Sequence, residues 1–441
     1  ALGLRIVTFE FTFPLLLGLE FELNERRVDY AFLNATAFGW LSNAGFAAVA
    51  FMTPRLIGRP VLTEAGLNLG LVIWNLAVAG GIGALYVFEL GPHAPLTAFP
   101  WFVMGGLATG AFIVTAIFVG TAATSLRSAY VSTWFAGIAL LSLLGLTSLA
   151  AGLDVLETFF GLDALPTALA SVFIERAISV LWLLGMVYAT LHYVVPQAAG
   201  QPLYSGGLGL LTWLTWLLLA PVAALGVLLD ASVPFFVTTI GAVATMLLLV
   251  PAALALANLS LTMQGRWTLL FGTGAAAFAM VSLVFLLAVS MLEAIGALRA
   301  VRVFVGGTDW ETGLFVWAAY GAFGFAALAL AEHGLPRLLK RAWGGGIMSS
   351  AALWLAFGGV TIAGLALMGG GMAQASLTAQ GVAPDAMGEQ LLVYRAAGLA
   401  GFGLVALAGL AHLGDQFLMY TSAEPIEYAT PDRSAPAAAG H

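Results

Sequence analysis

The chain contains no cysteine. This rules out disulfides, thiolate-held metals and thioether-linked haem within it. Charge is almost as scarce: Asp, Glu, Lys and Arg together make up 8% of the 441 residues, and there are only five histidines. No stretch alternates in the roughly 10-residue pattern of a membrane β-barrel strand, and no secretory signal with a small-residue cleavage site is visible. A net charge of −7 is too modest to define a partner, and no basic patch points to nucleic acid. What is abundant is apolar: 61% of residues are hydrophobic and the mean hydropathy is +1.00. A helix needs about 20 apolar residues to cross a bilayer. In hydrocarbon its backbone groups must be paired within the segment, so the apolar runs are expected to be helices.

Twelve spans are expected, centred in residues 3–20, 30–53, 66–88, 101–124, 131–152, 167–195, 206–229, 234–258, 267–291, 312–332, 348–371 and 393–419. The first is the shortest in character, carrying Glu10 and running into Glu20 and Glu22. Residues 1–421 read as one transmembrane domain, and the polar, Ala/Pro-rich tail 422–441 as disordered. Pro54-Arg55-Leu56-Ile57-Gly58-Arg59-Pro60 has a counterpart in Pro196-Gln197-Ala198-Ala199-Gly200-Gln201-Pro202 and a weaker echo in Pro336-Arg337-Leu338-Leu339-Lys340. Successive copies lie 142 and 140 residues apart (196 − 54 and 336 − 196). Such a period indicates three units of four helices; the alternative is ordinary Pro/Gly punctuation of helix ends.

With the N-terminus inside, Arg5, Arg55, Arg59, Arg127, Arg266, Arg337, Lys340, Arg341 and Arg433 fall on one side. Arg26, Arg27, Arg299, Arg302 and Arg395 fall on the other. The positive-inside rule then places both termini in the cytoplasm. Acidic residues lean outward, among them Glu22, Glu25, Asp29, Glu157, Asp309 and Glu311. That face either docks a basic partner or consists of ordinary solvated loops.

The segment Thr308-Asp309-Trp310-Glu311-Thr312-Gly313-Leu314-Phe315-Val316 opens a long apolar run. It resembles the Thr-Asp-Trp-Thr-Ile-Gly-His-Val-His segment of subunit I of the cbb-type haem-copper oxidases. The resemblance extends through Asn34-Ala35-Thr36-Ala37-Phe38-Gly39-Trp40, Tyr130-Val131-Ser132-Thr133-Trp134, Tyr193-Val194-Val195-Pro196, Gln201-Pro202-Leu203-Tyr204-Ser205, Thr262-Met263-Gln264-Gly265-Arg266-Trp267 and Val393-Tyr394-Arg395-Ala396-Ala397-Gly398. Together these cover about residues 30 to 400. The resemblance implies an all-α integral membrane protein with the subunit I-like fold, in a prokaryotic cell membrane.

That family binds two haems and a copper ion. Carried over position by position, the low-spin haem histidine falls on Phe32 and the two histidines of the tenth helix on Leu314 and Val316. The first copper histidine falls near Arg176, the adjacent histidine pair near Gly226-Val227, and the redox tyrosine on Ala220. The resemblance therefore implies that no haem or copper is held by this chain. His93, His192, His333, His412 and His441 sit in other places and read as structural or interfacial.

Glu175-Arg176 interrupts an almost uncharged span, where a charge is expensive unless paired or hydrated. Arg176 is expected to pair with Glu293, since Met291-Leu292-Glu293 resembles the family's element near the active-site haem, and the pair would seal the vacated site. Glu175 points about 100° away on a helix. The alternative is that the span begins late and both charges are interfacial. Phe32, Leu314, Phe315 and Trp317 are expected to fill the volume that haem occupies in the family.

The leading functional expectation is a non-catalytic subunit I-like protein, not an enzyme by itself. It would scaffold a respiratory or electron-transfer complex with a cytochrome c-type or catalytic oxidase-like partner. The alternative is a proton or ion pathway, or a quinone- or lipid-binding subunit, with Asn34, Asn43, Asn68, Asn75, Glu175 and Arg176 lining a wet route. Helix-packing hydrogen bonds explain the asparagines equally well. An active terminal oxidase or nitric oxide reductase is the least favoured.

Overall fold

The computed structural model describes residues 10–14, 20–91, 93–123, 129–230, 233–271, 274–341, 343 and 346–421. Among them, 11 helices are long and apolar enough to cross a membrane. They are α1 Glu25–Ile57, α2 Glu64–Val87, α3 Trp101–Ala122, α4 Val131–Phe160, α5 Leu165–Ala199 and α6 Gly206–Leu228. The remainder are α7 Phe235–Thr262, α8 Ala275–Gly296, α9 Asp309–Leu339, α10 Gly346–Ala379 and α11 Gly388–Thr421. The integral membrane, all-helical architecture is as expected, and the span count needs one correction.

The first expected span is not a helix where it is described. Glu10–Pro14 (β1) and Glu20–Asn24 (β2) pair antiparallel, in a register that places Glu10 opposite Asn24 and Pro14 opposite Glu20. The physical reason is in the pattern. Glu10-Phe11-Thr12-Phe13 and Glu20-Phe21-Glu22-Leu23 alternate polar with apolar, the period of a strand. Asn24 then starts α1 by accepting a hydrogen bond from the Arg27 amide at 3.0 Å. The first repeat unit therefore has a hairpin where a fourth helix was expected. The shared cytoplasmic location of both termini rested on twelve crossings. With eleven, the hairpin and the end of α11 lie on opposite faces. Arg5, Arg127, Arg433, His441 and the tail 422–441 lie outside the described residues.

The three most buried helices are α1, α5 and α9, and all three touch one another at the centre of the bundle. Each ends alike. Pro54, Pro196 and Pro336 sit in the last turn, and four residues on Gly58, Gly200 and Lys340 adopt left-handed φ of 71°, 63° and 53°. Each also contains one wide π segment, Ala35–Leu41, Ile178–Leu183 and Trp317–Gly324. A π turn disturbs the regular helical hydrogen bonding. In all three, a side chain from another helix donates to a carbonyl of the segment. Trp74 reaches Phe38 O at 2.9 Å, Trp216 reaches Val180 O at 2.9 Å, and Ser282 reaches Ala322 O at 2.5 Å. Both tryptophans lie 36 residues beyond their acceptors. The repeat is thus structural, and the Pro/Gly punctuation is one part of it.

Helices approach closely where glycine removes the side chain. A Cβ on Gly371 of α10 would lie 2.2 Å from the Trp310 amide nitrogen of α9, and one on Gly313 would lie 2.7 Å from Gly364 O. The neighbour in both cases is backbone, which cannot rotate aside. Gly371→Val is expected to lower the stability of the folded chain by about 2–3 kcal/mol. Gly358, whose added Cβ meets nothing within 4 Å, should tolerate Ala without loss. The fraction of detergent-solubilised protein surviving a heating series measures both.

Candidate functional site

Two faces of the bundle are distinguishable: the hairpin face, where α1 begins, and the proline face, where Pro54, Pro196 and Pro336 lie. Arg176, Glu293, Leu314 and the 226–227 segment gather in the hairpin half. Arg176 is on α5, just before its π segment, and Glu293 is in the last turn of α8. The Arg176 guanidinium grips the Glu293 carboxylate with both arms, Nη1 to Oε1 at 2.9 Å and Nη2 to Oε2 at 2.7 Å. The side chains are 22% and 27% exposed. Such a pair is geometrically specific and mostly removed from the water that makes surface pairs weak.

Glu175 turns elsewhere, as adjacent helical residues must. Its Oε2 accepts from the Leu96 amide at 2.9 Å, while Ser171 Oγ accepts from the Ala94 amide at 3.0 Å. Asn34 Nδ2 donates to Pro95 O at 2.8 Å, and Tyr30 donates to His93 O at 3.2 Å. Glu175 and Asn34 thus anchor the single-turn helix Pro95–Thr97 that dips between α1 and α5. Asn43 and Asn75 exchange hydrogen bonds between α1 and α2 at 2.9 and 3.1 Å. Asn68 is exposed.

Further ion pairs line the same face, and sequence reasoning did not join them. Arg302, from the short helix Arg299–Val305, pairs with Glu311 at the start of α9. Glu311 also interacts electrostatically with Glu175 and Arg176. Arg395 of α11 lies 3.8 Å from Asp309, Arg27 pairs with Glu22, and His93 sits 3.4 Å from Glu157. The only sequence signal was the density of charges bordering the spans.

Phe32 sits where α1 faces α9. Its ring stacks on Tyr320 at 6.4 Å between centroids and meets Phe402 of α11 edge-on at 6.2 Å. Trp40 and Phe402 also touch Tyr320, at 5.1 and 5.8 Å, and the Tyr320 hydroxyl lies 3.2 Å from Thr36 Oγ1. Tyr320, Trp40 and Phe402 were not singled out from sequence. Leu314 belongs to a small buried cluster with Val305, Trp310 and Met368, against which Leu292 and Trp317 pack. Val316 lies in the main core, 1% exposed.

Gly226 and Val227 fall in the 3₁₀ segment Ala224–Asp230, which packs against the outer segment Ala164–Ala177 of α5. A Cβ on Gly226 would meet Gly241 O at 3.0 Å, so this segment lies directly on α7. Ala220 is fully buried, one turn from Trp216. The structure therefore brings Arg176, Glu293, Leu314 and the 226–227 segment to one end of the bundle, while Phe32 packs on Tyr320 and Phe402 and Ala220 is buried within α6.

His192 is fully buried, with Nδ1 2.8 Å from Tyr188 O and its ring 5.3 Å from Phe135. His333 packs between Phe51 and Tyr193. Among the described residues no group of three or more His, Cys, Asp or Glu is placed to hold a metal ion.

Eleven membrane-length helices among the described residues, of which α1, α5 and α9 repeat one plan, make a polytopic membrane protein of internally triplicated design. Residues 31–402 match the family model described as cytochrome c and quinol oxidase polypeptide I, and the chain belongs to that family. No curated protein matches the chain.

Removing one partner of a mostly buried ion pair leaves the other charge uncompensated. Arg176→Ala is expected to destabilise the protein by about 2–4 kcal/mol. Arg176→Leu combined with Glu293→Leu should restore most of that loss. A double-mutant cycle on thermal or denaturant unfolding in detergent reads the coupling.

Proposed function

We propose that this chain is a subunit I-like membrane scaffold that does not itself carry a haem-copper centre. The observation that carries the reading is what occupies the positions equivalent, by resemblance, to the metal ligands. A haem iron needs a nitrogen or sulfur axial donor, and copper needs several imidazoles. Phe32, Leu314 and Val316 offer hydrocarbon, and Ala220 offers no phenol. The Phe32–Tyr320–Phe402 aromatic contacts fill the α1–α9 interface. At the position near the first copper histidine stands a guanidinium already saturated by a carboxylate. These residues do not fit haem or copper, so no redox step is assigned to them.

The Arg176–Glu293 pair takes over the electrostatic part of the lost centre. A fixed cation and a fixed anion tie α5 to α8 where the family would use metal coordination. Function then lies in assembly: the fold presents the surfaces of subunit I to other membrane subunits, among them a cytochrome c-type or catalytic oxidase-like protein that bears the metals. The proline face is cytoplasmic in this reading. Its described cations Arg55, Arg337 and Arg341 donate to helix-end carbonyls Phe51 O, His333 O and Tyr420 O. On the hairpin face Arg27, Arg302 and Arg395 lie against carboxylates.

The test is a metal and subunit census. The protein is purified from its native membrane in mild detergent, its haem assayed as the pyridine complex, and copper and iron counted by mass spectrometry. Haem is expected to follow copurifying subunits and to be far below one per chain once they are separated. One or two haems per separated chain would overturn the reading.

A further inference from the structure

A second set of ionisable groups lies at the opposite end of the molecule. Glu332 is in the last two turns of α9, and His412 and Asp415 are one helical turn apart near the end of α11. Glu332 has a side chain 1% exposed, and its Oε1 has no hydrogen-bond partner. His412 Nδ1 lies 3.6 Å from that oxygen. Asp415 is fully buried and interacts electrostatically with Glu332. The Trp343 ring lies 5.5 Å from the His412 ring, and its Nε1 donates to Glu332 O at 3.0 Å, closing the group on one side. His333 faces Phe51 and Tyr193, Arg337 bonds to His333 O, and Arg341 bonds to Tyr420 O.

A bare carboxylate in this position is costly, because a low-dielectric surrounding gives its charge no solvation. A second buried carboxylate that interacts with it adds to the cost, because like charges repel. The least expensive arrangement holds a proton. With Glu332 as the acid and His412 neutral, the pair carries no net charge. With the proton on His412 and Glu332 ionised, it again carries none, and the two forms differ by one proton moved between Oε1 and Nδ1. His412, 10% exposed along its side chain, is more open than Glu332 and is the member through which that proton exchanges.

We propose that Glu332, His412 and Asp415 form a buried proton-binding site at the proline face of the bundle. The site is remote from the Arg176–Glu293 pair and does not depend on the scaffold reading. Two of its members, His412 and Asp415, lie beyond the residues that match the family.

Infrared difference spectroscopy on the full chain in lipid vesicles tests it, comparing mildly acidic with mildly alkaline buffer. A carbonyl band of protonated carboxylic acid is expected, shifting in deuterated buffer as exchangeable acids do. Glu332→Gln should remove the larger part of that band and lower proton uptake between the two buffers by one per chain. Asp415→Asn offers the same reading where Glu332→Gln does not fold, with partial loss expected. Absence of any such band in the wild-type protein overturns the proposal, as does a band that neither variant changes. Thermal stabilisation by sodium or potassium chloride beyond that by choline chloride, lost in Glu332→Gln, would identify a metal-cation site and overturn it equally.

Discussion

A polar group inside hydrocarbon has no water to bond, and its partner must come from the protein itself. The three central helices make this requirement harder by each including a π segment, which disturbs the local backbone ladder. The bundle answers with side chains from neighbouring helices: Trp74 on Phe38 O, Trp216 on Val180 O, Ser282 on Ala322 O. These contacts tie α2 to α1, α6 to α5 and α8 to α9. The same bonds that satisfy the backbone therefore fix which helix lies beside which. The positions of Arg176 and Glu293 follow, since α5 and α8 present their ends to each other only within that arrangement.

Close packing supplies the remaining energy without any hydrophobic contrast between helix and lipid. Apolar side chains gain little by leaving lipid for protein, so van der Waals contact between backbones matters more. Gly313, Gly364 and Gly371 bring α9 and α10 together, and Gly226 with Gly241 brings the 3₁₀ end of α6 onto α7. The second contact bears on the site. The segment carrying Gly226 and Val227 is held so close to α7 that a side chain at position 226 would meet the Gly241 backbone.

Much of this was legible in the sequence, because hydropathy in a membrane protein reports the backbone's own constraint. Eleven spans, the Pro54/Pro196/Pro336 period and the direction of Arg176 relative to Glu175 all follow from apolar length and helical geometry. The first span failed for an identifiable reason. Residues 3–20 are apolar enough for a helix, but Glu10–Phe13 and Glu20–Leu23 alternate with period two, and the window average hides alternation. The π segments left no composition signal. The Phe32–Tyr320–Phe402 contacts join residues from three helices, and no local pattern announces them. His412 reads from sequence as structural or interfacial, and Glu332 and Asp415 as isolated polar residues near helix ends; eighty residues separate Glu332 from His412.

The two charged clusters solve the same problem by different chemistry, and the difference follows from their geometry. Arg176 keeps its proton at any ordinary pH, and it holds the Glu293 carboxylate through two hydrogen bonds. The pair acts as a strut whose two hydrogen bonds hold α5 against α8. Glu332 faces an imidazole and interacts with a second carboxylate, groups that can each bind or release a proton. The neutral state there is reached by binding a proton, not by a fixed counter-charge. A bundle built only for rigidity would gain more from a guanidinium at that end as well, or from hydrocarbon of equal volume. That three titratable groups are kept together at 10% exposure or less, two of them beyond the family-matched part of the chain, is an arrangement rigidity does not require.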